Sequence, residues 1–296
     1  MNNNQITENQ HTVSACYLSS FSNNGWVFVY NKTHQSWKKK HINAISRESF
    51  IYEHDDYEIN EIENKLGKFE DKWSKDGRDR LIENFQDNNY VLTEYDKILM
   101  GKFIWLQMTK TKSSLNNQTN MYDMYERFLI ENDVENNLLN DFKSIDTKKV
   151  FLDIITNPKY ELEFLKKKWV VFKTNDSMHE FFISDTPVIN DGSHINGDYT
   201  INFFLTPKIL IQLRDSHRKL VDRIYKISPS KIIYYNKLQI VDSFNEIYVR
   251  TSQQKKFIER KRKLTKIKKI NTLKEYPSTT DNSSLLIGGV ERTGKL

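Results

Sequence analysis

From Tyr57 onward the apolar residues fall at helical spacing, with Ile59, Ile62, Leu66, Phe69 and Trp73 on one stripe. Beyond residue 168 they gather instead in short runs, WVVFK, EFFISD, YTINFF and ILIQL, rich in β-branched and aromatic side chains. A repeat of 3.6 and a repeat of 2 bury different faces, so helices and strands must occupy separate stretches of the chain. Nearer the start, WVFVY at 26–30 and SFIY at 49–52 flank the polar NKTHQSW, which predicts a small β-meander. Further helical patterns cover 78–92, 94–110 and 120–143. A long helix is expected over 237–263, with Val241, Phe244, Ile247 and Tyr248 as its apolar positions. The expected fold class is α+β: two short β regions, an N-terminal meander and later antiparallel strands, packed with a helical middle and a long C-terminal helix.

No internal repeat and no Pro/Gly/Ser linker divides residues 9–275, so a single domain is expected there. Residues 1–8, MNNNQITE, are expected to be disordered, and the polar stretch 276–296 to form a mobile tail. No run approaches the roughly 18 apolar residues of a membrane span, and the Asn-rich start lacks a signal-peptide pattern, which predicts a cytoplasmic protein without membrane contact. Cys16 is the single cysteine, which excludes an intrachain disulfide and any Cys-based zinc cluster. The histidines show no zinc-ligand spacing, and neither a phosphate loop nor a Gly-x-Ser-x-Gly elbow occurs.

The net charge of +6 is a local property. KKFIERKRKLTKIKK at 255–269 holds nine Lys or Arg and one Glu, and without it the chain has 36 basic and 38 acidic residues. Lys255, Lys256, Arg260, Arg262 and Lys263 are therefore the candidates for contact with nucleic acid or a protein partner. Phe257, Leu264, Ile267 and Ile270 recur at roughly helical spacing, so one face of this segment is expected to dock while the basic face stays wet.

An ordered set of short motifs runs through most of the chain: QHTVSACYLSSFS, WVFVYNK, RESFIY, a helix with Glu63 and Glu70, and FFISDTPV. This set resembles the family catalogued as domain of unknown function 4238, whose pattern opens on Gln-His-x-Val-Pro and later carries Arg-Glu before an aromatic pair and Ser-Asp-x-Pro. The matching positions here are Gln10, His11, Val13, Tyr17, Leu18, Phe21, Arg47, Glu48, Phe50, Tyr52, Glu63, Glu70, Ser184, Asp185 and Pro187. Ser14 stands where the family usually has Pro, and Gln107-Met108-Thr109-Lys110 where Gln-x-x-Arg is expected. The resemblance implies no established activity.

His11, Glu48 and Asp185 are the candidate catalytic residues, and Glu63 and Glu70 the candidate ligands of a magnesium or manganese ion, since carboxylates hold hard cations and a neighbouring His can move a proton. Glu63 and Glu70 lie two turns apart on one helix face, about 10 Å along the axis, so at most one of them would bind the ion directly. Each has a plainer reading beside it. Asp185 can cap a turn with Ser184, Glu48 can pair with a cation, and His11 can be a satisfied structural histidine. Two functions stay open: a nuclease-like hydrolase, with bacterial defence as its setting, and a non-catalytic binding module built on the basic segment.

Overall fold

The computed structural model describes residues 6–132, 136–157, 161–175, 179–191, 199–215, 224–261 and 263. Its first β region opens with β1 (Asn9–His11), the short helix α1 (Ala15–Ser19), and the hairpin β2 (Trp26–Asn31) and β3 (Ser36–His41). Strand β4 (Arg47–Ser49) then returns antiparallel to β1, with Gln10 opposite Glu48 and His11 opposite Arg47. The meander's second strand is thus SWKKKH, which its three lysines disguised, and SFIY turns away after Ser49. Among the described residues β3 pairs only with β2, and charged side chains suit such an edge. The chain is already tied at Thr7 and Glu8: the Thr7 N–H donates to Asn60 Oδ1 at 2.7 Å, and the Phe50 N–H to the Glu8 carbonyl at 2.9 Å.

The helical middle comprises α2 (Glu61–Lys72), a wide π turn over Trp73–Arg78, α3 (Asp79–Asn84), α4 (Glu94–Thr109), α5 (Lys112–Glu131), α6 (Asn136–Lys143), α7 (Thr147–Thr156) and α8 (Glu161–Leu165). Helix α4 is the central one. A capping box between Thr93 and Asp96 starts it, and Leu99, Met100, Phe103, Ile104, Leu106 and Gln107 are all buried. Gly77 lets the π turn close on the indole beneath it, because a Cβ there would lie 2.5 Å from Trp73 Cε3.

The second β region contains β5 (Lys168–Lys173), β6 (Ile183–Ser184), β7 (Val188–Asp191), β8 (Thr200–Thr206), β9 (Ile209–Arg214) and β10 (Ile224–Lys226). They are followed by α9 (Pro229–Asp242), β11 (Glu246–Val249) and α10 (Ser252–Arg260). One sheet has the order β10-β5-β9-β8-β7, antiparallel except for β10 beside β5. A second, β3-β2-β11-β6, joins strands from both ends of the sequence. The long helix expected over 237–263 is therefore two helices with a strand between them. Ile247 and Tyr248 pair with β2 and β6, and this tertiary pairing overrides a helical repeat that the sequence also satisfies.

Helices and sheets meet in one core that draws on residues from Val13 to Tyr248. At its centre Tyr17 stacks on Phe203 at 5.3 Å, Trp73 stacks on Phe103 at 4.5 Å, and the Tyr17 hydroxyl donates to the Phe204 carbonyl at 2.7 Å. In α10, Ile258 is buried and Phe257 packs against Phe182, as the docked face requires. Leu264, Ile267, Ile270 and the 276–296 tail lie outside the described residues, as do residues 1–5. Among the described residues no helix is long and apolar enough to cross a membrane.

Candidate functional site

The alternation of β1 sends Gln10 and His11 to opposite faces. Gln10 is fully buried and structural: its Oε1 accepts from the Tyr52 N–H at 2.6 Å, and its Nε2 donates to Glu53 at 2.9 Å. His11 is half-buried and faces Arg47, whose Nε donates to His11 Nε2 at 3.3 Å. With Nε2 accepting, the proton of a neutral ring sits on Nδ1. Ser46, in the left-handed region at φ 52°, aims β4 at this point, and its carbonyl accepts from the Thr12 N–H at 2.8 Å.

Beyond β1 the chain reaches α2 and α4 through Ser14. The Ser14 hydroxyl donates to Glu70 Oε1 at 2.7 Å and accepts from Gln107 Nε2 at 2.5 Å, while the Ser14 N–H donates to Gln107 Oε1 at 3.3 Å. Lys110, whose side chain is 2% exposed, closes an ion pair with the same Glu70 oxygen. The Tyr52 hydroxyl donates to the His11 carbonyl at 2.8 Å and reaches the Lys110 carbonyl at 3.4 Å. Four separate segments thus bring His11, Ser14, Arg47, Glu70, Gln107 and Lys110 together.

This environment sets the protonation states. Burial, then the positive charges of Arg47 and Lys110, lower the His11 pKa to about 4 against the opposing pull of Glu70, so the ring is neutral at pH 7. Burial raises Glu63, with Glu70 and Glu53 adding to the shift and Lys110 and Arg47 resisting it. Burial also pushes the Cys16 thiol up to about 12, which makes it a poor nucleophile.

A pH dependence follows. Between the ordinary value of 6.5 and about 4 the unfolded chain protonates His11 while the folded chain does not, so this contribution to stability is complete above 6.5 and drains away as pH falls toward 4. In His11→Gln the loss over that window should be smaller than in the wild type, as read by urea unfolding at a series of pH values. Superimposable profiles would mean that the ring is solvated in the folded chain.

The other expected site residues fall in different places. Glu63 shares the electrostatic field of Glu70, Arg47 and Lys110. Glu48 lies on the Gln10 face of the ladder, and its carboxylate pairs with Lys112 at 2.8 Å, away from the His11 face. Asp185 is engaged at the turn that leads into β11. Its two oxygens accept the N–H groups of Phe244 at 2.8 Å, Asn245 at 2.7 Å and Glu246 at 2.8 Å, the turn-capping arrangement. Burial raises its pKa to about 6 while those three amides pull it down. Ser184 is likewise engaged, with its hydroxyl donating to Gln239 Oε1 at 2.7 Å.

The expected magnesium or manganese site at Glu63 and Glu70 does not fit the donors present. Among the described residues no three His, Cys, Asp or Glu side chains gather as ligands. Glu70 already holds an ammonium, so a divalent cation would have to compete with Lys110 for that carboxylate. In the basic segment, Lys256, Arg260 and Lys263 are exposed, Lys255 is half-buried, and Arg262 lies outside the described residues.

Lys110, Gln107, Ser14 and Arg47 are the functional candidates that residue-type reasoning passed over. The signal was present in Gln107-x-x-Lys110, since residues three apart share a helix face. No curated protein and no solved structure matches the chain. A family model described as "Protein of unknown function (DUF4238)" matches residues 9–253, a span that takes in every element of the His11 cluster. By that match the chain belongs to the DUF4238 family.

Proposed function

We propose that the His11 cluster is a hydrolytic, nuclease-like site for phosphodiesters that works through its own cations rather than through a carboxylate-held metal ion. The observation that carries this reading is a neutral imidazole whose acceptor nitrogen faces an exposed arginine beside the ion pair of the buried Lys110 with the half-buried Glu70. Arg47 is the group that meets the substrate. A phosphate draws its guanidinium off His11 Nε2, because a charge-assisted bidentate contact outcompetes a 3.3 Å bond to a neutral ring. The freed Nε2 takes a proton from water as its oxygen attacks phosphorus, and the leaving oxygen takes its proton from solvent. Lys110 and Glu70 position the site, and Lys110 adds positive potential behind the phosphate.

The test is incubation of the full chain with single- and double-stranded DNA and RNA, with chelator or with magnesium or manganese. Cleavage that persists in chelator, and that falls about a hundredfold or more in His11→Ala with circular dichroism unchanged, supports the reading. Absence of cleavage in every condition overturns it. So does cleavage that needs a metal and ignores His11. A second reading, binding of nucleic acid or a protein without catalysis, is favoured by the exposed Lys256 and Arg260 on α10.

A further inference from the structure

The pairing of β2 with β3 puts Trp26 opposite His41, Phe28 opposite Lys39, and Tyr30 opposite Trp37, so these six side chains share one face of the hairpin. Helix α10 covers one end of that face, where Tyr30 is buried with Ile247, Val249 and Ile258. The other end stays open. Trp26 is 44% exposed, Lys39 is exposed, and Phe28 and Trp37 are half-buried. Cations lie over the rings: Lys39 Nζ is 5.6 Å from the Trp26 centroid, and Lys255 Nζ, reaching across from α10, is 5.4 Å from Trp37 and 6.0 Å from Phe28.

The result is a stripe of three aromatic rings interleaved with two ammonium groups, and the helix that supplies Lys255 also carries the exposed Lys256 and Arg260. Lysines along β3 also guard an edge strand against unwanted pairing, but edge protection gives no reason to leave a tryptophan open among them. Rings that offer their faces between positive charges match a partner with flat faces between negative charges. We propose that this stripe binds single-stranded nucleic acid, with bases stacking on Trp26 and on the open parts of Phe28 and Trp37, and phosphates held by Lys39 and Lys255. Duplex DNA is a poor match, because its base faces are already stacked. His41 ends the stripe, and the backbone of the next residue, Ile42, hydrogen-bonds the His11 ring, so a strand lying on the hairpin leads to the candidate site. The binding assignment stands whether or not His11 cleaves.

The experiment uses the full chain carrying His11→Ala, so that cleavage does not enter, and titrates its tryptophan fluorescence with an oligo-dT of about 15 nucleotides. Quenching with saturable binding is expected, weakened about fivefold or more by Trp26→Ala. Lys39→Glu should weaken binding further and flatten its salt dependence, since a phosphate contact is lost. A duplex of the same length should compete poorly. Trp26 and Lys39 are exposed, so both variants should keep the parent's melting profile; Lys39→Ala serves as the milder charge control. No binding, binding indifferent to both substitutions, or equal affinity for duplex and single strand would each overturn the proposal.

Discussion

Lys110→Met is expected to destabilise the fold by about 3–5 kcal/mol, because it strips a largely buried carboxylate of its cation. The Lys110 side chain is 2% exposed and that of Glu70 is 18% exposed, so water replaces little of what is lost. Glu70 would keep the Ser14 hydroxyl, and Ser14 in turn fixes Gln107 on α4. The loss would therefore spread from the ion pair to the junction of α1, α2 and α4. Adding Glu70→Gln to Lys110→Met should recover a large part of the stability, since a neutral amide is far cheaper to leave half-buried than an unpaired charge. Urea unfolding of the two single variants and the double gives the coupling directly. A cost below about 1 kcal/mol for Lys110→Met would place the pair among weak surface bridges.

Asp185→Ala should cost a similar amount, about 3–5 kcal/mol, for a different reason: three backbone N–H groups lose their acceptor at once. Those amides belong to Phe244, Asn245 and Glu246, which lead into β11. Lys32 would also lose the attraction of Asp185 while its ammonium still holds the Ser243 carbonyl at 2.6 Å and the Ile240 carbonyl at 3.3 Å. Asp185→Asn keeps one acceptor oxygen and should fall between wild type and Asp185→Ala. Thermal melting reads the ranking. Any cleavage measured well below the melting temperature should be unchanged per folded molecule, in contrast to His11→Ala. A cleavage defect in Asp185→Asn without loss of stability would return Asp185 to the chemistry.

Much of the architecture was legible because period is a strong signal where a segment is long and one-sided. The stripe from Ile62 to Trp73 and the runs WVVFK, YTINFF and ILIQL all fall in helices and strands of the expected type. The failures share a cause, which is that partners distant in sequence decided the outcome. SWKKKH has no apolar alternation, yet it is a strand because β2 offers it a ladder. SFNEIYV satisfies a helical repeat, yet Asp185 and β2 claim it for a turn and a strand. For the site, the expected set was His11, Glu48, Glu63, Glu70 and Asp185, of which the Glu70 charge acts on both His11 and Glu63 while Glu48 and Asp185 are engaged with other partners. What residue types alone could not show is that cations act on His11 and Glu63 as well. Lys110 is hidden just past the end of α4 and Arg47 lies across a two-stranded ladder, and together they set two positive charges among the carboxylates.

The sheet β3-β2-β11-β6 has a consequence for the order in which the molecule can assemble. β2 is made well before its second neighbour, β11, which is not available until residue 249 has left the ribosome. The Tyr17 hydroxyl must likewise wait for the carbonyl of Phe204. A nascent chain therefore carries one unsatisfied edge of the hairpin and half of an aromatic core until those partners emerge. Contacts of such long sequence separation fold slowly. Truncation anywhere before β11 should yield a chain that aggregates rather than a smaller folded unit.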